Sequence, residues 1–95
     1  MAKYEAMYII RPEVEAEARK NLIEEINNIF LSRGTEKVDV NEWGMRDLAY
    51  EIEDCTKGYY VVLAFEGNGD AIKEFDRISN IKEEIIRHIC VRLDK

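Results

Sequence analysis

Side chains with the chemistry of an enzyme are scarce in this 95-residue chain. His88 is its one histidine, Cys55 and Cys90 are its two cysteines, and Ser32 and Ser79 are its two serines. A serine or cysteine nucleophile needs a base within hydrogen-bond reach and a group that orients the base. No such set is spaced for that work here. His88 and Cys90 stand two apart, hence on one face of an extended segment. They would supply only half of a tetrahedral metal shell, with no CxxC or HxxxH nearby to complete it. An iron–sulfur cluster asks for four thiolates, and the chain has two. Gly67-Asn68-Gly69 lacks the further glycine and the lysine of a phosphate loop, and Asp70 follows it. The carboxylates are many but scattered over solvent-facing positions, with no pair set for acid–base work. We therefore expect no catalytic residues, no metal and no cofactor.

What remains is binding chemistry. Lys3, Arg46, Lys57, Arg87 and Arg92 are the cations that fall on extended segments or their ends, and Tyr4, Trp43, Tyr50, Tyr59 and Tyr60 lie among them. Singly, such cations are solvated charges and such aromatics pack in cores. Interleaved on one sheet face, they can stack RNA bases. No RNP1-like run is present, so the chain is not an RRM. The charge balance works against RNA, since 14 basic and 20 acidic residues leave a formal net charge of −6. Affinity for RNA comes largely from cations that displace condensed counterions. An acidic chain therefore needs a local basic patch or a basic partner.

Length and composition set the frame. One domain spanning residues 1–95 is expected at this size. The balance of 46% hydrophobic and 36% charged residues excludes wholesale disorder. The longest apolar run, Tyr59 to Phe65, falls far short of the ~18 residues of a membrane helix. The first residues, MAKYEAMYIIRPE, carry no small-residue cleavage pattern. The expectation is a cytoplasmic protein, with no membrane partner and reduced thiols.

The elements follow from periodicity. Lys3 to Ile10 alternates as a strand that Pro12 stops. Pro12 to Arg33 has helical period, with Val14, Ala18, Leu22, Ile26, Ile29 and Phe30 in one stripe and Gly34 as the left-handed stop. Glu36 to Glu53 is extended. Val38 and Val40 share one face, Trp43 and Met45 the other, and Leu48, Tyr50 and Ile52 return to the first. Two slips in phase imply bulges, the first at Gly44. Residues 54–58 read as a hairpin loop and Tyr59 to Phe65 as a central strand. Asp70 reads as the N-cap of a second helix built on Ala71, Phe75 and Ile78 and ending near Asn80. Ile85 to Leu93 is the last strand. Its core side is taken as Ile85, Ile89, Val91 and Leu93, which share a parity with Arg87, against Ile86, His88 and Cys90. The order strand-helix-strand-strand-helix-strand predicts an α+β ferredoxin-like fold, βαββαβ. It has a four-stranded antiparallel sheet and two helices on one face. The other face is left open with Met7, Ile9, Tyr60 and Val62, and with Arg87 if its parity is the reverse. A patch that apolar suggests a binding surface.

The stretch Trp43-Gly44-Met45-Arg46-Asp47-Leu48-Ala49-Tyr50-Glu51-Ile52 resembles the second-strand signature G-x-R-x-L-A-Y-x-I of the bacterial small-subunit ribosomal protein six family. Tyr4-Glu5, Pro12, Gly58-Tyr59-Tyr60, Glu74-Phe75-Asp76-Arg77 and Ile85-Ile86-Arg87-His88-Ile89 extend the resemblance over nearly the whole chain. It implies a ferredoxin-like ribosomal protein without enzymatic activity. Such a protein binds the central domain of 16S rRNA as a heterodimer with the basic ribosomal protein eighteen. A basic partner would answer the charge difficulty, because it would neutralise the phosphates that an acidic chain does not. The candidate RNA- or partner-binding residues are Lys3, Tyr4, Trp43, Arg46, Arg87 and Arg92. Asp47, Glu51, Glu53 and Asp54 make the end of the second strand more acidic than in the family's pattern, and no RNA contact is assigned to 51–54. Two other readings stay open. One is a ferredoxin-like regulatory domain that binds a small metabolite between subunits, for which no convergent polar set is visible. The other is a small hydrolase using Arg11 as an anion ligand, for which Pro12 and Glu13 supply no glycine cradle.

Overall fold

The computed structural model describes residues 2–35, 37–67 and 69–93. The elements are β1 (Ala2–Ile10), α1 (Ala16–Ser32), β2 (Lys37–Ile52), β3 (Cys55–Gly67), α2 (Gly69–Ile81) and β4 (Ile85–Arg92). They form the expected four-stranded sheet in the order β2-β3-β1-β4, with antiparallel neighbours throughout. Both helices pack on one face. Their apolar stripes meet Ala6, Tyr8 and Ile10 of β1 and Val61, Leu63 and Phe65 of β3 in one buried cluster. Its centre is aromatic: Phe30 lies 4.4 Å from Phe65 and 5.6 Å from Phe75, and Tyr8 lies 6.0 Å from Phe75, between ring centroids.

Several boundaries differ from the periodic reading. Helix α1 begins at Ala16, not Pro12, because Glu15 is extended and residues 12–14 form a turn closed by Val14 N–H donating to the Arg11 carbonyl. Val14 packs on the core from that turn and so mimics a helical position. Ala18 is exposed, and Ile23 takes its place among the buried residues of the helix. The β2–β3 turn is tighter than the expected loop. Glu53 and Asp54, with φ of 47° and 66°, carry the positive angles of a two-residue type I′ hairpin, and β3 starts at once at Cys55. Asp70 is the second residue of α2 rather than its cap.

Both bulges of β2 are present. At the first, Glu42 opposes Val61 and Gly44 opposes Tyr60, so Trp43 is the extra residue, and Gly44 adopts φ +89°. This separates Trp43 from Met45. The tryptophan ring stacks over Tyr60 on the open face, whereas Met45 opposes Tyr59, whose ring lies on the helix side under Arg19.

The last strand corrects the expected parity. Ile10 opposes Ile85 and Ile9 opposes Arg87, so Ile86 is an extra residue and the alternation reverses there. Ile85 stays in the core, but His88 and Cys90 turn to the helices, and Arg87, Ile89 and Val91 turn to the open face. His88 Nε2 meets Asp76 Oδ1 of α2 at 2.7 Å, and its ring meets Phe75 edge-on. Cys90 packs against the core, and burial pushes its thiol above the ordinary range. Both cysteines are free, Cys55 on β3 and Cys90 on the far edge strand.

Candidate nucleic-acid interface

The open face is built from side chains that alternate away from the helices. β1 contributes Met7 and Ile9, β3 contributes Tyr60 and Val62, and β4 contributes Arg87, Ile89 and Val91. A face of this kind left bare would expose a contiguous apolar patch. Here its centre is covered: Ile9 is 3% exposed and Val62 7%. Beside it, β2 departs from regular pairing twice.

The first departure sets a stacked group. The bulge at Gly44 lets the Trp43 ring lie nearly parallel to Tyr60, at 9° and 6.4 Å between centroids. Arg46 adds its guanidinium 5.2 Å from the centre of the Trp43 ring. The second departure is larger. Asp47 opposes Lys57 and Ile52 opposes Cys55, so residues 48–51 of β2 stand against Thr56 alone. This excursion brings Leu48 close to Gly58. Gly58 is required beneath it, since a Cβ there would overlap Ile9 Cγ2 and touch Leu48 Cδ2. The same excursion brings Tyr50 to Arg87, whose Nη1 donates to the tyrosine hydroxyl at 2.9 Å, with the guanidinium 5.8 Å from the ring centre.

Arg11 holds the hairpin tip in place. Its Nε donates to the Glu83 carbonyl at 2.8 Å, its Nη2 to Glu53 Oε1 at 3.3 Å, and its Nη1 to Cys55 Sγ at 3.4 Å. The groove around it, about 1030 Å³, is lined by Glu13, Glu53, Glu83 and Glu84 as well as Arg11. Arg11 is thus engaged in structural bonds, unlike the anion ligand of the hydrolase reading.

The arginines divide by their partners. Arg11, Arg33 and Arg77 each reach a carboxylate. The Arg77 guanidinium beside Glu74 holds that carboxyl below its usual range. Arg19, Arg46 and Arg87 pair with no carboxylate among the described residues and lie instead against aromatic rings, Arg19 on the helix side and the other two on the open face. In a chain with 20 acidic residues, that selection leaves two cations on the open face whose charge is not neutralised.

Of the six candidate residues, the structure therefore gathers Trp43, Arg46 and Arg87 onto one face. Lys3 has the same parity but lies at the far end of β1, opposite Glu66. Tyr4 faces the helices and stacks on Phe65 at 5.4 Å and 22°. Arg92 opposes Tyr4 in the β1–β4 pairing and shares that side. Sequence reasoning placed Leu48 and Tyr50 on the face of Val38 and Val40 and outside the six candidates, and so missed both. The signal was the second slip in phase of the extended stretch, which the register places between Asp47 and Ile52.

Comparison with known proteins agrees with this architecture. A family model described as ribosomal protein S6 matches residues 3–92. The crystal structure of 30S ribosomal protein S6 from Thermotoga maritima superposes with a TM-score of 0.90 at 37% identity, over 97% of this chain and 87% of that one. A protein from Arabidopsis thaliana, At3g17210, shares the fold alone, with a TM-score of 0.56 at 13% identity over 100% of this chain and 95% of that one. The sequence, its signature strand and its topology converge on one assignment: the chain belongs to the ribosomal protein S6 family.

Proposed function

We propose that this chain is a structural, non-catalytic component of the small ribosomal subunit. In that role it binds the central domain of 16S rRNA together with the basic ribosomal protein eighteen. The observation that supports it is the open sheet face, where Arg46 and Arg87 lie on aromatic rings away from any described carboxylate. Aromatic platforms beside unneutralised guanidinium groups suit RNA, which offers flat bases and phosphates together. The net charge of −6 makes the basic partner part of the same reading. Each phosphate contact releases counterions in proportion to the cations brought to it, and this chain brings few.

Filter binding to a central-domain rRNA fragment tests it, with and without the basic partner. The chain alone should bind weakly and with little specificity, and the pair tightly. Equal affinity in the two arms would refute the dependence on a partner.

A further inference from the structure

We propose that Tyr50 and Arg87 act as one recognition unit for an unpaired nucleotide, the guanidinium taking the phosphate and the tyrosine ring taking the base. The proposal rests on the RNA-binding reading above and names the ligand at one point of that face.

The position of Tyr50 is the first observation. A tyrosine on a strand that begins in the core should be packed, yet this one is 61% exposed, and its hydroxyl accepts from Arg87. Its hydroxyl is engaged and its ring area is left to solvent. The second observation is how Arg87 is held. Nη1 is committed to Tyr50, no described carboxylate pairs with the guanidinium, and Nε–H and Nη2–H remain as a fork. That fork matches two oxygens of one phosphate. The third observation is the frame. Residues 48–51 leave regular pairing to bring Tyr50 across, Leu48 of the excursion lies close to Gly58 of β3, and Arg11 fixes the tip beyond it. The two side chains are thus placed before a ligand arrives, and less ordering is required on binding.

A phosphate donor fork beside an exposed ring suits a nucleotide whose base is out of the stack. In a duplex the base faces are covered by their neighbours, so the ligand belongs to a loop, bulge or junction. A protein carboxylate could also fill the fork, but it would leave the ring unused.

The test uses the complex with the basic partner and a central-domain rRNA fragment, with Arg87→Ala, Tyr50→Leu and Tyr50→Phe. Salt titrations and melting curves are taken on each variant. Arg87→Ala should weaken RNA binding roughly ten- to a hundredfold and reduce the magnitude of the log–log salt slope by about 0.7–0.9. Tyr50→Leu should weaken binding roughly five- to a hundredfold with a smaller change in slope, as for a lost base stack. Tyr50→Phe keeps the ring but loses the bond that holds Arg87, and its affinity should fall between those of Tyr50→Leu and the unmodified protein. All three should melt as the unmodified protein does, since both side chains are exposed.

If Arg87→Ala leaves affinity and slope unchanged, the RNA-binding reading of this face fails, and the unit with it. If Arg87→Ala behaves as expected and Tyr50→Leu binds normally, only the unit is overturned. A Tyr50→Phe variant as weak as Tyr50→Leu would overturn the stacking half, since the ring alone then does nothing. Loss of the partner protein with an unchanged salt slope would give the face to protein contact and overturn the proposal.

Discussion

The two faces of the sheet solve opposite problems with the same residue types. On the helix side, aromatic rings meet one another in the core, and Tyr59 at its rim carries Arg19. Tyr8, Phe30, Phe65 and Phe75 are buried, and the charged groups at the rim find charged partners, as Arg77 and Arg33 do with Glu74. On the open side, aromatic rings meet arginines. Trp43, stacked on Tyr60, carries Arg46, and Tyr50 carries Arg87, while only the centre of that face is closed to water. The difference teaches that apolar area on this sheet serves two ends. One face converts it into stability through burial. The other keeps it at the surface and adds positive charge to it.

If that division is right, substitutions on the two sides should separate stability from binding. The largest effect is expected at Phe75, which is fully buried where the rings of Tyr8, Phe30 and His88 converge. Phe75→Ala should destabilise the fold by about 3–5 kcal/mol, as large aromatic truncations do in cores. Urea denaturation measures it, and a cost under ~1 kcal/mol would break the comparison on the helix side. On the open side Arg46→Ala should change stability by less than ~0.5 kcal/mol, as an exposed substitution without a buried partner. The same variant should lower RNA binding by the complex about tenfold. A melting curve and a filter-binding titration on one preparation decide it. A stability loss comparable to that of Phe75→Ala would mean that the Trp43 stack is structural.

The smallest effect sharpens the comparison through a sign. The Tyr8 hydroxyl is buried without a hydrogen-bond partner among the described residues, and burial pushes its ionisation well above the ordinary range. Removing an unpaired buried hydroxyl is neutral or favourable, so Tyr8→Phe should hold or raise stability, by up to ~1 kcal/mol. The pH dependence follows from linkage. Below the ordinary tyrosine value of about 10, Tyr8 is protonated in both folded and unfolded chains, and its contribution to stability is fully present. Above that value the unfolded chain gains an ionised phenolate that the folded chain resists forming, and stability falls. Tyr59 is also raised, first by its hydrogen bond to Glu42 and then by burial, so it adds to the same fall. Comparing alkaline unfolding of Tyr8→Phe with that of the unmodified chain isolates the Tyr8 share. Identical alkaline profiles would show that Tyr8 is not held neutral by burial.

Much of the fold was legible because its signals are local. The alternation of Lys3 to Ile10, the helical stripe ending at Gly34, and the phase slip at Gly44 can each be read within a few residues, and each has its counterpart in the structure. The parity of β4 was not legible. The extra residue at Ile86 arises from pairing with β1, more than seventy positions away, and nothing within the strand announces it. The site was legible in type more than in place. Trp43, Arg46 and Arg87 could be named from an arginine-and-aromatic pattern. Alternation puts Tyr50 on the face of Val38 and Val40, and only the excursion at 48–51 brings it out to Arg87. The Glu53–Asp54 turn escaped for a related reason. Positive φ angles at two acidic residues replace the asparagine–glycine pair that usually marks such a hairpin.

Arg11 ties together segments that are distant along the chain, reaching Glu53 across 42 positions, Cys55 across 44 and Glu83 across 72. Contacts of such separation close large loops, and their entropic cost must be met before they stabilise anything. They therefore belong late in folding, after the strands they connect have paired. A late contact is absent from the transition state, so its worth appears almost wholly in the rate at which the native chain opens. The arginine that steadies the hairpin tip is in that sense a brake on unfolding, setting how long the aromatic and basic face, once formed, persists between openings.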